Sequence, residues 1–481
     1  MVKIEKKNNR IHIIKSEGAD NLINHRHILT PYWEVDKICD DIIAGHTPEQ
    51  EVVLSGRKFV PFIEEMSKRY CDGLQVFEDI KLSTKCFSCP YYKSDDKDAE
   101  CKKDGYDECW RHATMNNANP YKEYSARPLL EDLWGGQGGS IKGNLLDKGK
   151  WFLDQITLED VTPSNLRDYE KAGLAPYRRR WVQIALATGH PERIEDQQNL
   201  HDGVYLDIAN LKAEMGQWEF PLHMIDFETT NSALPYFDGQ RPYEQVAFQF
   251  SHHIIYKDGR IEHKGQFLET RPGYFPNFDF VRELRDQLGK DDGSVFRYSH
   301  HENTILNAIR EQLIASKEPD KAELIEFIES ITHRGKKKKD GHYEHEGERD
   351  MIDLCEVVKR FYWHPIMKGS NSIKQVLPAI LNSGTYLQEK YGKPIYGSEI
   401  KSCNYTAESP LTLIVKNESG EVQNPYKALP QLKEIQDELI GEIAAQGLWS
   451  KEELEQYVQS ASADEMDAEE DTRINNGGLP L

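Results

Sequence analysis

Along the chain the spacing of apolar positions changes rhythm. In "VDKICDDIIAG", Val35, Ile38, Cys39, Ile42 and Ile43 recur at helical spacing, which puts Cys39 on the core side of an amphipathic helix. "FVPFIEEMSKRYC" predicts a second such helix ending near Cys71, and "TPSNLRDYEKAG" and "YRRRWVQIALATG" predict two more, the former with a Thr/Ser N-cap signature. Beyond Phe220 the period shortens. "LHMIDF", "QVAFQFSHHIIY" and "IEHKGQFLE" read as strands, "FDFVRELRDQLG" as an amphipathic helix, and the strand "SVFRYSH" runs directly into the helix "ENTILNAIREQLI". Three strands before the first helix predict an antiparallel meander that a later strand joins. The expected fold class is therefore α/β, a mixed sheet flanked by helices and not a simple doubly wound one.

These shifts divide the chain into four expected segments. Residues 1–125 are a smaller, mostly helical region carrying a cysteine module, and a helical connector over 126–218 begins near the glycine-rich break "WGGQGGSIKG". The α/β domain occupies 219–430. Residues 431–481, with the acidic run "SADEMDAEEDTR", form an acidic helical or disordered tail. No internal repeat is present.

Composition narrows the function classes. The 481 residues are 38% hydrophobic and 10% aromatic, enough for real cores, and no stretch approaches the ~18 apolar residues of a membrane span. The start "MVKIEKKNNR" has no apolar signal core behind it, so the expected location is cytoplasmic, with no membrane partner. A formal charge of −21 argues against a protein that coats nucleic acid with a generally positive surface. A nuclease with a local basic track remains compatible with it. The basic stretch Lys336–Lys339 in "RGKKKKDGHYEHEGERD" reads first as a mobile surface loop and second as a phosphate-contacting one.

Two groups of residues carry chemistry. In "HMIDFETT" the strand period places Asp226 and Glu228 on one face, about 7 Å apart, either as a metal site or as two solvated acids. Glu302 falls in the first turn of the helix after "SVFRYSH", where it either faces a neighbouring strand end or serves only the helix macrodipole. Two-metal hydrolysis of phosphodiesters needs several carboxylates converging from separate elements. The second group is Cys86-x2-Cys89, Cys101 and Cys109, four thiols in a charged stretch with little apolar burial to explain them. Such a spacing suits zinc or an iron–sulfur cluster better than a disulfide framework.

Strand-borne "DFE" followed by antiparallel strands and then "YSHHENTIL" resembles the first two motifs of the ribonuclease-H-like DEDD (DnaQ-like) exonucleases. The longer stretch "DFETTNSALPYFDGQRPYEQVAFQFSHHI", with "SIKQVLPAI", is similar to an uncharacterised bacterial family of that superfamily, found joined to RecB-type nuclease regions. The similarity covers about residues 220–430. It implies a ribonuclease-H-like sheet and a divalent-metal-dependent nuclease, a 3′–5′ exonuclease on DNA or RNA, with Mg²⁺ or Mn²⁺ on Asp226, Glu228 and Glu302. The alternative is a non-catalytic nucleic-acid- or partner-binding protein on the same fold.

Under the resemblance Asp353 in "MIDLCEVVKRFYW" is either a further catalytic acid or the start of a structural segment, and Lys374 is either an exposed lysine or a phosphate contact. "KCFSC" with "GYDECW" resembles the cluster segment of RecB-type nucleases, which carries over to Cys86, Cys89 and Cys109. Cys71 stands as an alternative to Cys101. No RecB-type acid strand precedes the segment, so a structural remnant is expected there. The family's fourth acid comes from a later helix. Here the end "TRINNGGLPL" offers only Asp471 nearby, as in a shortened domain.

Overall fold

The computed structural model describes residues 2–7, 10–15, 36–44, 58–71, 82–89, 91, 105–106, 109–110, 113, 127–135, 140–163, 172–237, 239–271, 273–338, 342–402, 405–417, 420–428 and 440. They fall into two compact units, Met1–Lys81 and Leu82–Leu481. No helix among them is long and apolar enough to cross a membrane.

The first unit opens with an antiparallel hairpin of β1 (Val2–Lys7) and β2 (Arg10–Lys15), paired from Val2↔Lys15 to Lys7↔Arg10, where helical patterning was expected. Helices α1 (Asp36–Ala44) and α2 (Phe59–Cys71) lie where the periodicity predicts them. Cys39 corrects the sequence reading: it is exposed, not core. Spacing alone gives a helix an apolar stripe, whereas burial needs a facing layer, and α2 has no buried residue either.

The second unit contains helices α3 (Ser140–Asp147) and α4 (Pro176–Ala187) and the short strands β3 (Leu200–His201) and β4 (Val204–Leu206), then the sheet itself. Strands β5 (Leu222–Thr230), β6 (Val246–Ile255) and β7 (Ile261–Leu268) form the predicted antiparallel meander. Helix α5 (Asn277–Leu288) leads to β8 (Val295–Arg297), which pairs parallel with β5, and helices α6 (His301–Ala315) and α7 (Lys321–Ile331) follow. A two-stranded ribbon of β9 (His333–Lys337) and β10 (Tyr343–Glu346) precedes β11 (Ile352–Asp353), which pairs parallel with β8. The five-stranded order is β11-β8-β5-β6-β7, the expected mixed sheet flanked by helices. Helix α8 (Leu354–Phe361), strand β12 (Tyr362–Trp363) and helix α9 (Ile373–Ser383) follow, with β12 joining β4 and β3 in a second, three-stranded sheet.

Alternation along β5 drives the packing. Ile225 and Phe227 point into a core shared with Phe250, Phe280, Leu284, Ile305, Ile309 and Leu324, from β6, α5, α6 and α7. Phe227 meets Phe280 edge-on at 4.8 Å between ring centroids. Asp226 and Glu228 take the intervening positions and the other face.

The strands also bury polar groups, and these are bonded to one another. His223 Nε2 faces Asp291 Oδ1 at 2.8 Å, His223 Nδ1 faces His252 Nε2 at 2.9 Å, and His252 Nδ1 faces Gln287 Oε1 at 2.9 Å. Gln287 Nε2 donates to Glu283 at 2.9 Å. The chain closes on the loop after α5 at Gly293. A Cβ there would stand 1.9 Å from the Pro221 carbonyl oxygen and 2.9 Å from His223 Nε2, so the close approach needs glycine.

The segment expected as a separate connector, 126–218, is continuous with this unit. Leu174 N–H donates to Arg360 O, Asp207 N–H donates to Phe361 O, and β4 pairs with β12. The compact division falls at Lys81/Leu82 and not near residue 218. "TPSNLRDYEKAG" lies mostly outside the described residues, as does the acidic tail apart from Ile440.

Candidate carboxylate site

The site lies where β5, β8 and β11 end. Asp226 pairs with Ser251 and Glu228 with Gln249 across the β5–β6 ladder, followed by a register shift after Glu228. Both carboxylates open to solvent, yet the surrounding protein raises both pKa values. For Asp226 the main cause is desolvation, and for Glu228 it is desolvation and then the charge of Asp226.

Glu302 is the third acid. It stands in the first turn of α6, is only 3% exposed, and its Oε2 has no hydrogen-bond partner. Desolvation, with the charges of Asp226 and Asp353, pushes its pKa up to about 7 against the pull of Arg297. The turn that delivers it is strained: Ser299 adopts φ of +71°, a left-handed conformation that costs a non-glycine residue about 1 kcal/mol or more. His301, next to Glu302, is hydrogen-bonded at 3.3 Å to Thr229 at the end of β5. Desolvation and the neighbouring His300 lower its pKa, while Asp226 raises it.

Asp353 plays a different part. Its Oδ1 accepts from the backbone N–H of Ser299 and of Cys355, both at 2.9 Å, and its Oδ2 accepts from Arg297 at 3.1 Å. It is the N-cap of α8 and a clamp joining β8, the Ser299 turn and β11. Its carboxylate is already committed to three donors, and it acts on Glu302 through charge.

Two further residues couple to the acids through charge. Lys374, in the first turn of α9, is exposed, and its charge lowers the pKa of Glu228. Tyr426 sequence reasoning missed. Desolvation and the charge of Asp226 raise its phenol pKa, so the hydroxyl stays protonated beside that acid. It sits in the 3-10 turn Pro425–Ala428, about two hundred residues from Asp226 in the chain, and no local pattern signals it.

Among the described residues no three His, Cys, Asp or Glu side chains stand close enough to hold one metal ion together. The orphaned Glu302 oxygen, its raised pKa and the like charge beside it are nonetheless the chemistry of a donor set that a cation would satisfy. Asp471 and Cys101 lie outside the described residues.

The cysteine segment is partly described. Cys86 lies in the 3-10 turn Thr84–Ser88, its Sγ accepting from Ser83 N–H at 3.4 Å. Cys89 packs on a small core of Tyr106, Trp110 and Phe152. Phe87 and Trp110, neighbours of Cys86 and Cys109, have ring centroids 6.3 Å apart, so the C-x2-C knuckle and the Cys109 segment meet on one aromatic cluster. None of the three is in a disulfide, and Cys71 is exposed at the end of α2.

The unit is a mixed five-stranded sheet flanked by helices that carries Asp226 and Glu228 on β5 and Glu302 in the first turn of α6. A family model described as Domain of unknown function (DUF2779) matches residues 223–372, from the first residues of β5 to the N-cap of α9, a span that contains Asp226, Glu228, Glu302 and Asp353. No curated protein and no solved structure matches the chain.

Proposed function

We propose that the α/β unit is a divalent-metal-dependent nuclease of the DEDD class, a 3′–5′ exonuclease on DNA or RNA. The observation that supports it most is Glu302, a buried carboxylate with one oxygen unpartnered, placed beside Asp226. Converged acids repel and cost stability unless a cation neutralises them. Asp226, Glu228 and Glu302 would hold Mg²⁺ or Mn²⁺, which lowers the pKa of a bound water and offsets charge on the phosphate. Lys374 would meet the substrate's phosphate beside Glu228, and Asp353 would hold the turn that aims Glu302.

A second reading, a non-catalytic binding protein, draws on the absence of a closed three-ligand set among the described residues. Degradation of end-labelled single-stranded DNA and RNA, with Mg²⁺, Mn²⁺ or EDTA, separates the two. The nuclease reading expects metal-dependent hydrolysis that Asp226→Ala, Glu228→Ala and Glu302→Ala each abolish while the variants still fold. Binding without hydrolysis in any metal favours the second reading.

The cysteine module, in the same proposal, uses Cys86, Cys89, Cys109 and Cys101 to hold zinc or an iron–sulfur cluster as a structural staple. Support comes from the aromatic core on which Cys89 packs and the Phe87 and Trp110 neighbours of Cys86 and Cys109 meet. Metal analysis with visible absorption distinguishes zinc from a cluster, and protein free of both would end the reading.

A further inference from the structure

The basic stretch expected as a loop is built as the β9–β10 ribbon. We infer that this ribbon is an arm that grips the sugar–phosphate backbone of a nucleic-acid strand running to the carboxylate site. The inference rests on the nuclease reading and adds to it the surface that holds the substrate.

Placement comes first. The foot of the ribbon is fixed to the helix that carries Glu302. His333 N–H donates to Asn303 Oδ1 at 3.0 Å, and the Nδ2 groups of Asn303 and Asn307 each donate to His333 O at 3.1 Å. Asn303 is the residue after Glu302.

Order comes second. The His333 ring stacks on Tyr343 at 3.8 Å between centroids, and Lys337 Nζ lies 5.1 Å from the centre of the same ring. His333 Nδ1 is also 2.9 Å from both Asp350 carboxylate oxygens. Gly335, at φ +80°, makes the bulge in the pairing, and a Cβ there would meet the Glu344 carboxylate at 2.4 Å. Stacking and this bulge give a two-stranded ribbon the fixed shape that burial does not supply.

Charge comes third. Arg334, at the foot, is paired with Glu329 at 3.0 Å. Lys336, Lys337 and Lys338 are all exposed, and among the described residues no carboxylate pairs with them. In a chain of net charge −21, three consecutive unneutralised lysines are a local reversal of sign. Lysine is a hydrated point charge suited to phosphates, and three of them side by side on an exposed ribbon would bind the backbone with little sequence preference.

The test measures binding to labelled single-stranded DNA and RNA in EDTA across a salt series, with hydrolysis in Mg²⁺ or Mn²⁺ measured separately. Replacing Lys336, Lys337 and Lys338 together by Glu is expected to weaken binding to all sequences alike, by about tenfold or more at moderate salt. It should also reduce the salt slope by about 2, at roughly 0.7 per lost phosphate contact. Replacing the three by Arg should restore both, and melting temperatures should match the parent. A parent that cleaves, with a Glu triple variant of unchanged affinity and slope, would overturn the arm and leave the nuclease reading standing. A parent that neither binds nor cleaves removes both. Loss of binding to anionic lipid vesicles or an acidic peptide, with nucleic-acid binding unchanged, would give the ribbon a different partner and overturn the inference.

Discussion

Glu302 is a single residue whose burial sets a pH dependence. Its folded pKa of about 7 lies above the ordinary 4.5, so between those values the folded state binds more protons than the unfolded state. The sign follows: its favourable contribution is full below about pH 4.5 and is lost as pH rises through 7. At one to two kcal/mol per pH unit, the loss is on the order of 3 kcal/mol. Glu302→Gln is therefore expected to melt higher than the parent above neutral pH and to flatten the decline between acid and neutral pH. Added Mg²⁺ or Mn²⁺ should raise the parent's melting temperature at alkaline pH and leave the variant's unchanged. Thermal melts across pH, with and without metal, check both statements, and an equal slope in parent and variant would remove Glu302 as the source.

At the scale of elements, the junction of β8, α6, β11 and α8 hangs on Asp353. Asp353→Ala removes the α8 N-cap and leaves Arg297, 6% exposed, without its carboxylate, so a loss of about 3 kcal/mol is expected. Asp353→Asn should retain part of the capping and fall between. Urea denaturation measures the difference, and equal stability of parent and Ala variant would contradict the clamp. How much of this was legible depends on how local each signal is. The period-two alternation of "LHMIDFETT" and the helical stripe of "ENTILNAIREQLI" reveal their elements because each buries one face against the same core. The ribbon "RGKK"/"YEHE" buries almost nothing, so its strand character left no apolar rhythm, and a lysine run read as a loop. Asp226, Glu228 and Glu302 were visible as acids at strand and helix ends. The charge effect of Asp226 on Tyr426 depends on a chain return that no neighbouring residue encodes.

Within the second unit a buried cation ties α4 to the segment of α8, β12 and the residues just ahead of α9. Arg179 on α4, 1% exposed, donates to the carbonyl oxygens of Val358 (3.2 Å), Lys359 (2.9 Å) and Tyr362 (2.7 Å), and to Asn371 Oδ1 just ahead of α9. Burial lowers its pKa to about 10, which leaves it charged at neutral pH. Arg179→Met would strand these acceptors and is expected to cost about 3 to 5 kcal/mol. Arg179→Lys should rescue little, because an ammonium does not present the planar fork. For the same reason a fragment cut at residue 219, the boundary that the sequence suggests, would lose Arg179 and the β4 partner of β12. Such a fragment is expected to aggregate or fail to melt cooperatively, whereas one beginning at residue 82 should retain a single sharp transition. A stable, monomeric 219–430 fragment would show that the helices and the sheet are separable after all.

In the hydrogen-bonded chain Glu283–Gln287–His252–His223–Asp291 the two histidines are buried and the protons can be counted. Both ends are carboxylates, which accept only, so Gln287 gives its N–H to Glu283 and its oxygen must receive one from His252 Nδ1. At the other end His223 Nε2 must carry a hydrogen for Asp291, and the link between the rings needs a third. Two neutral imidazoles hold two hydrogens between them, so this arrangement is that of a pair sharing one added proton. Burial opposes that charge, lowering His223 and bringing His252 to about 4, with Asp291 favouring it and Arg349 and Lys264 opposing it. Release of the proton is expected to be accompanied by a half-turn of the Gln287 amide, which then donates to His252 and frees the exposed Glu283. Histidine ring ¹⁵N spectra from neutral to acid pH should show one proton entering the pair, with stability falling as pH drops below about 6.5, the unfolded histidine value. Gln287→Leu, which has no amide to turn, should uncouple the titration from Glu283. Two independent histidine titrations in the parent would show that the rings do not share a proton.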